Sequence, residues 1–246
     1  MSRSLVIRSL LDVAFPPCCA ACGRSTVQLE GVDRGFCHEC REDLVLFQDK
    51  LCHRCSTPLA DPEADSTDCP VCREERWAFD ETLALGPYDG LLRHLVLLAK
   101  RQSGAAGAVA LGELLAVRHT ERLASLGNAV VVPVPSHWSR RAMRMADGVG
   151  KLAEGLADRA GLPRRSLLRR KRATTKQTEV APSDRRANVS GAFTVARRAR
   201  LAGRTVLLVD DVLTTGSTCH AAAAALKRAG ADRVVAVVAA RRVGRL

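Results

Sequence analysis

From about Thr82 onward the apolar positions fall into short unbroken runs, separated by longer stretches with helical spacing. Thr82–Tyr88 is predicted as a strand and Gly90–Lys100 as a helix. Ala105–Ser125 is predicted as a longer helix, with Leu111, Leu114 and Leu115 on one face. Asn128–Val134 reads as a buried strand, Arg140–Ala160 as a helix and Ala192–Ala196 as a short strand. Arg204–Asp210 is a continuous apolar strand, Ser217–Ala229 an Ala-rich helix and Asp232–Ala239 a strand. Strands that alternate with helices imply an α/β fold with a parallel sheet. Runs without polar alternation imply burial on both faces. In such sheets ligands sit outside the carboxyl ends of the strands. The most apolar run ends at Asp210-Asp211.

The chain before Cys72 has a different character. Nine of the ten cysteines lie between Cys18 and Cys72, eight of them in four C-x-x-C pairs: Cys19/Cys22, Cys37/Cys40, Cys52/Cys55 and Cys69/Cys72. Two thiolates at this spacing share one tight turn and take two corners of a tetrahedron. A second turn supplies the other two, with Zn–S of about 2.3 Å. Two such halves make a double zinc ribbon holding two structural zinc ions. Disulfides would need an oxidising compartment, for which the chain carries no signal. Four tandem pairs also argue against redox chemistry. Cys18 adjoins Cys19 and leaves the first pair's register open; Cys19 keeps the two-residue spacing to Cys22. His38 and His53 are spare ligands that eight thiolates do not require. Closed four-sulfur sites hold a fold or a partner surface and are not reaction centres. Asp61–Thr67 reads as a polar loop of the second half. Cys219 reads as a small core residue.

Composition sharpens this picture. The chain has 246 residues, 47% hydrophobic but only 3% aromatic, so its core is built from Val, Leu and Ala. No apolar run reaches the roughly 18 residues that span a bilayer. In Met1–Pro17, Arg8 and Asp12 interrupt any signal-peptide core. That segment is expected to be an amphipathic helix, and the protein to be cytoplasmic. The expected units are residues 1–17 as this helix, 18–80 as the ribbon and 81–246 as the α/β domain. The net charge is +12, and Arg164–Arg204 alone holds thirteen Lys or Arg against two Asp or Glu. Such a segment attracts phosphate on a small ligand or a polynucleotide, unless it is simply a solvated basic loop.

The candidate chemistry lies after the apolar strand Thr205–Val209. Two adjacent carboxylates are followed by a polar loop that turns into a helix. Thr214, Thr215, Gly216, Ser217 and Thr218 offer backbone N–H groups and four hydroxyls. A helix N-terminus adds partial positive charge, so a phosphate monoester fits. Asp210 and Asp211 make sense beside it if they accept hydrogen bonds from ribose hydroxyls and face a Mg²⁺ ion.

This stretch resembles the phosphoribosyl-pyrophosphate (PRPP) motif of type I phosphoribosyltransferases at every position. The resemblance implies that Thr214–Thr218 binds the 5-phosphate and that Asp210 and Asp211 hold the ribose. Together with the ribbon, the chain resembles the ComF/GntX family over nearly its whole length. Carrying residues are Phe15-Pro16-Pro17-Cys18, Tyr88-Asp89-Gly90-Leu91-Leu92-Arg93, Ala99-Lys100 and Val132-Pro133-Val134-Pro135. Arg172, Thr175, Gln177, Arg185, Asn188 and Phe193 complete the set. The implied architecture is a parallel-sheet type I phosphoribosyltransferase fold with an N-terminal double zinc ribbon. Related enzymes place the segment before Phe193 as a hood over the site. One departure stands out: where the family often has an Arg-Gly-Phe-Asn-Gln-like run, this chain has Arg144-Met145-Ala146-Asp147-Gly148.

The implied reaction displaces pyrophosphate from ribose C1 by a nitrogen nucleophile. Asp210 and Asp211 are then the catalytic candidates. Mg²⁺, Lys100, Arg172 and Lys176 would take the leaving pyrophosphate. No acceptor pocket is readable, and His94, His119, His137 and His220 read as structural. Three functions compete: a transferase, a non-catalytic PRPP sensor, and a single-stranded-DNA-handling protein working with DNA-uptake partners. The last has few aromatics for base stacking, chiefly Trp77, Phe79, Tyr88 and Trp138.

Overall fold

The structure, a computed structural model, describes residues 18–25, 35–48, 50–59, 61, 69–135, 147–170, 191–197 and 199–243. The expected helix at 1–17, residues 140–146 of another and the segment around Arg172 lie outside these. Among the described residues, no helix is long and apolar enough to cross a membrane.

Two one-turn helices serve the cysteine region: α1 (His38–Glu42) and α2 (Pro70–Glu74). Then follow β1 (Glu81–Pro87), α3 (Gly90–Leu98), α4 (Ala105–Arg118), α5 (Thr120–Ala124) and β2 (Ala129–Pro133). The chain continues with α6 (Gly148–Ala160), β3 (Leu168–Arg170), β4 (Phe193–Val195), β5 (Thr205–Leu213), α7 (Ser217–Arg228) and β6 (Arg233–Arg241). Four strands form one parallel sheet in the order β1-β6-β5-β2. Alternate residues face opposite sides, as the pleat requires. Leu207, Val209, Val235 and Val237 pack with α4 and α6 on one face. Val206, Leu208, Val234 and Ala236 pack with α7 and the β3–β4 hairpin on the other. Both faces are buried, which is why these strands carry no polar alternation.

Glycine sets how closely two helices meet. A Cβ on Gly112 of α4 would lie 2.1 Å from the Leu152 carbonyl oxygen of α6, and one on Gly155 would lie 2.1 Å from that of Val109. The two backbones touch where side chains would hold them apart.

The long helix expected over Ala105–Ser125 is broken at His119. Thr120 Oγ1 donates to the Ala116 and Val117 carbonyls at 2.9 Å each, taking groups the next turn would have used. The His119 ring instead meets the Ala84 carbonyl of β1 at 3.2 Å. The short strand expected at Ala192–Ala196 is β4, and its antiparallel partner β3 was not foreseen.

Candidate functional site

Strand β5 does not stop at the acidic pair. It continues to Leu213, held by β6, whereas pairing with β2 ends at Pro133 opposite Val209. Asp210 and Asp211 therefore extend past the shorter neighbour, where a ligand can reach them. Asp210 Oδ1 accepts the Asp211 N–H at 2.9 Å, and Asp211 Oδ1 accepts the Val212 N–H at 2.8 Å. Asp210 is nearly buried, with the thiol of Cys219 on α7 at 3.9 Å from its Oδ2. Burial, with the charge of Asp211 next, pushes its carboxyl up, to about 8. Lys100, just past α3, lies 3.4 Å from Asp211 Oδ2. Cys219 is 1% exposed, in keeping with its reading as a core residue.

After Leu213 the chain turns through exposed Thr214 and Thr215 to Gly216, at φ +75°. This left-handed conformation suits glycine. Thr215 Oγ1 and Ser217 Oγ are 3.0 Å apart. Helix α7 begins at Ser217 without a side-chain cap from Gly216. Its first-turn N–H groups and its dipole are thus directed at the loop, as anion binding requires. The Trp77 indole covers Gly216: a Cβ there would come within 2.8 Å of the ring. Trp77 in turn stacks on Phe79, with centroids 5.4 Å apart.

A cavity of about 400 Å³ opens beside the loop, lined by Lys100, Arg170, Asp210, Asp211, Thr214 and Thr218, with Arg242 joining them and Tyr88 and Val149 as apolar wall. The structure thus brings Lys100, the acidic pair and both ends of the loop together. Thr215, Gly216 and Ser217 form the turn beside them. Arg172 lies outside the described residues. Arg170 and Arg242 were missed. Each directly follows another arginine at a strand end, Arg169 and Arg241, and in sequence each looks like one arginine among many. Of the described aromatic candidates, Phe79 is 1% exposed and so cannot stack on a base, and Trp77 is spent on Gly216. Tyr88 remains at the cavity.

The eight paired cysteines form two groups, Cys19, Cys22, Cys37, Cys40 and Cys52, Cys55, Cys69, Cys72, with Sγ atoms within 4.8 Å of one another in each. The Sγ distances Cys22–Cys37, Cys52–Cys72 and Cys55–Cys69 are 3.7 Å. A tetrahedron with Zn–S arms of about 2.3 Å has edges of about 3.8 Å, so both groups suit a structural zinc. The register question resolves to Cys19, which is buried in its group while Cys18 is exposed. His38 and His53 belong to neither; they face Glu42 at 3.4 Å and Glu81 at 3.5 Å.

Comparison with known proteins agrees with this layout. The family model for a phosphoribosyl transferase domain matches residues 104–246, and that for a double zinc ribbon domain matches residues 10–74. Competence protein F of Haemophilus influenzae is 27% identical over 205 residues, covering 81% of this chain and 87% of that protein. DNA utilization protein YhgH of Salmonella typhimurium is 32% identical over 208 residues, covering 81% and 87%. The solved allosteric regulatory enzyme of purine biosynthesis aligns at 20% identity and a TM-score of 0.37, over 55% of this chain and 26% of its own, so this chain spans about a quarter of that protein.

Proposed function

The chain belongs to the ComF/GntX family, a double zinc ribbon joined to a phosphoribosyl transferase domain, and from that premise we propose that it binds PRPP with Mg²⁺ in the cavity at Asp210–Thr218 and serves DNA uptake or utilization. The observation that carries this reading is the pairing of a polar helix-start loop with two carboxylates at one cavity mouth. The loop N–H groups and the Thr214 and Thr218 hydroxyls would take the 5-phosphate. Asp210 and Asp211 would accept the ribose hydroxyls. Mg²⁺ on the pyrophosphate would offset its charge, and Lys100, Arg170, Arg242 and Arg172 would meet the rest. If transfer occurs, C1 loses pyrophosphate and gains a nitrogen nucleophile, and the acidic pair favours the positive charge that develops on the sugar. A PRPP sensor would use the same contacts without an acceptor, because a site can be kept for binding alone.

One observation favours a second role. Arg164, Arg165, Arg169, Arg170, Arg197 and Arg200 are all exposed around the β3–β4 hairpin. Such a surface suits a polynucleotide backbone, in line with the relatives' names.

A thermal-shift panel separates these readings. PRPP with Mg²⁺ should raise the unfolding midpoint more than ribose 5-phosphate or pyrophosphate alone, since each fills half of the site. Equal shifts from all three would reduce the cavity to a general anion site. Steep loss of oligonucleotide affinity with salt would support the DNA role; no affinity at low salt would remove it.

A further inference from the structure

We propose that Arg241 is a positioning residue that couples the second four-cysteine site to the phosphate loop, so that the loop keeps its anion-binding shape only while that site holds zinc. The inference rests on the reading of Thr214–Thr218 as a phosphate site.

Arg241 closes β6 and is only 6% exposed. Its Nε donates to the Cys55 carbonyl at 3.0 Å. One terminal nitrogen donates to the Leu213 carbonyl at 2.9 Å and to that of Thr214. The other lies 3.5 Å from Thr57 Oγ1. One rigid guanidinium fork therefore spans the cysteine turn on one side and the entry to the loop on the other. A lysine offers a single point of contact and cannot hold both.

The turn that Arg241 grips has an unusual backbone that zinc on Cys52 and Cys55 would brace. Ser56, next to Cys55, sits at φ +52°, a conformation rare for residues other than glycine. Its hydroxyl donates to the Thr82 carbonyl of β1 at 2.8 Å, which ties the turn to the sheet. The corresponding position of the first site, after Cys22, is Gly23. A zinc held by Cys52, Cys55, Cys69 and Cys72 would fix the Cys55 sulfur and, through it, the carbonyl that Arg241 uses.

A second contact reaches the loop from the same half of the ribbon. Trp77 follows α2, which carries Cys72, and presses on Gly216. The next residue, Ala78, donates its N–H to His220 Nδ1 of α7 at 3.1 Å. The loop is thus held at Thr214 by Arg241 and at Gly216 by Trp77. The first site packs elsewhere. Cys19 and Cys40, with Phe36 and Leu44, join the core on the α4–α6 face, whereas Trp77 and α7 share the other. That difference supplies an internal control.

The test uses the full chain with both sites loaded and metal content measured. Hydrogen exchange of a peptide covering Leu213–Thr218 is read without ligand, and PRPP–Mg²⁺ affinity is read by calorimetry. Cys72→Ser (second site) and Arg241→Lys (charge kept) are expected to speed loop exchange and weaken PRPP by about tenfold or more, the effect of losing one or two charge-assisted hydrogen bonds. Cys22→Ser (first site) is expected to change either by less than about twofold, on the same scale. Unchanged loop exchange in Arg241→Lys, or equal effects from Cys22→Ser and Cys72→Ser, would overturn the coupling. If the wild type ignores PRPP yet its loop exchange still follows the second site, the coupling stands and only the ligand reading fails.

Discussion

The ammonium of Lys100 lies 3.4 Å from the carboxylate of Asp211, so one member of the acidic pair is engaged before any ligand arrives. Asp210, buried behind it, forms no ion pair among the described residues and sits against the Cys219 thiol. The two adjacent carboxylates are therefore not equivalent. Asp211 is paired and partly exposed, while burial and the neighbouring charge of Asp211 raise the pKa of Asp210.

The difference has a pH signature. Asp210 is raised from 3.8 to about 8 in the fold, first by burial and then by Asp211. Between those values the native state binds more protons than the unfolded chain, so stability falls as pH rises through that window. Asp210→Asn keeps the oxygen that accepts the Asp211 N–H and removes the titration. Its melting midpoint should match the wild type below about pH 3.8, where the carboxyl is protonated in both states, and exceed it by about 3 °C or more at about pH 8. A lower midpoint for the variant at the higher pH would contradict the assignment.

Glu81 behaves in the opposite sense. It is 2% exposed and receives Arg122 at 2.7 Å and Arg233 at 2.8 Å, with His53 nearby. Burial alone would raise its pKa; the hydrogen bonds from Arg122 and the surrounding positive charge outweigh it and hold the carboxyl below the usual 4.5. The stability it contributes is present above that value and lost as pH falls through the folded pKa. Glu81→Gln should cost about 3 kcal/mol in urea unfolding at neutral pH, because two arginines lose their buried partner. The loss should shrink in acid. A neutral substitution at all pH values would show that the cluster is not structural.

The cysteine assignment is tested by counting metal. The wild type should hold two zinc ions per chain by elemental analysis. Cys18→Ser should keep both, because Cys18 lies outside the four-sulfur group, and Cys19→Ser should lose one. A shared loss in both variants would mean that the register is not fixed.

Gly155→Ala places a methyl 2.1 Å from the Val109 carbonyl, a backbone group that cannot step aside. Forcing α4 and α6 apart should cost about 1–3 kcal/mol in denaturant unfolding, the usual range for overpacking. An unchanged midpoint would mean that the two helices slide freely.

Much of this was legible in the chain itself. The four cysteine pairs depend on local spacing alone, and apolar runs such as Thr205–Val209 show their burial directly. The features that escaped depend on contacts distant in sequence. Strand β5 continues through Asp210 and Asp211 because β6 holds it, although the residue types mark an end. Leu168-Arg169-Arg170 forms a strand only because Phe193 and Val195 pair with it. Arg241 looks like a polar stop after Ala239-Ala240, and its role appears only when Cys55, 186 residues away, is folded beside it. The break at His119 follows from the back-bonding of Thr120 and a carbonyl of β1, which helical spacing does not reveal.

The proposed function stands or falls on PRPP binding in the Asp210–Thr218 cavity. Calorimetric titration of PRPP with Mg²⁺ into the zinc-loaded chain, beside an Asp210→Asn/Asp211→Asn double variant, tests it most directly. Saturable binding by the wild type that the double variant loses is the expected result. No binding by a folded, zinc-replete wild type, or equal binding by both, would contradict it.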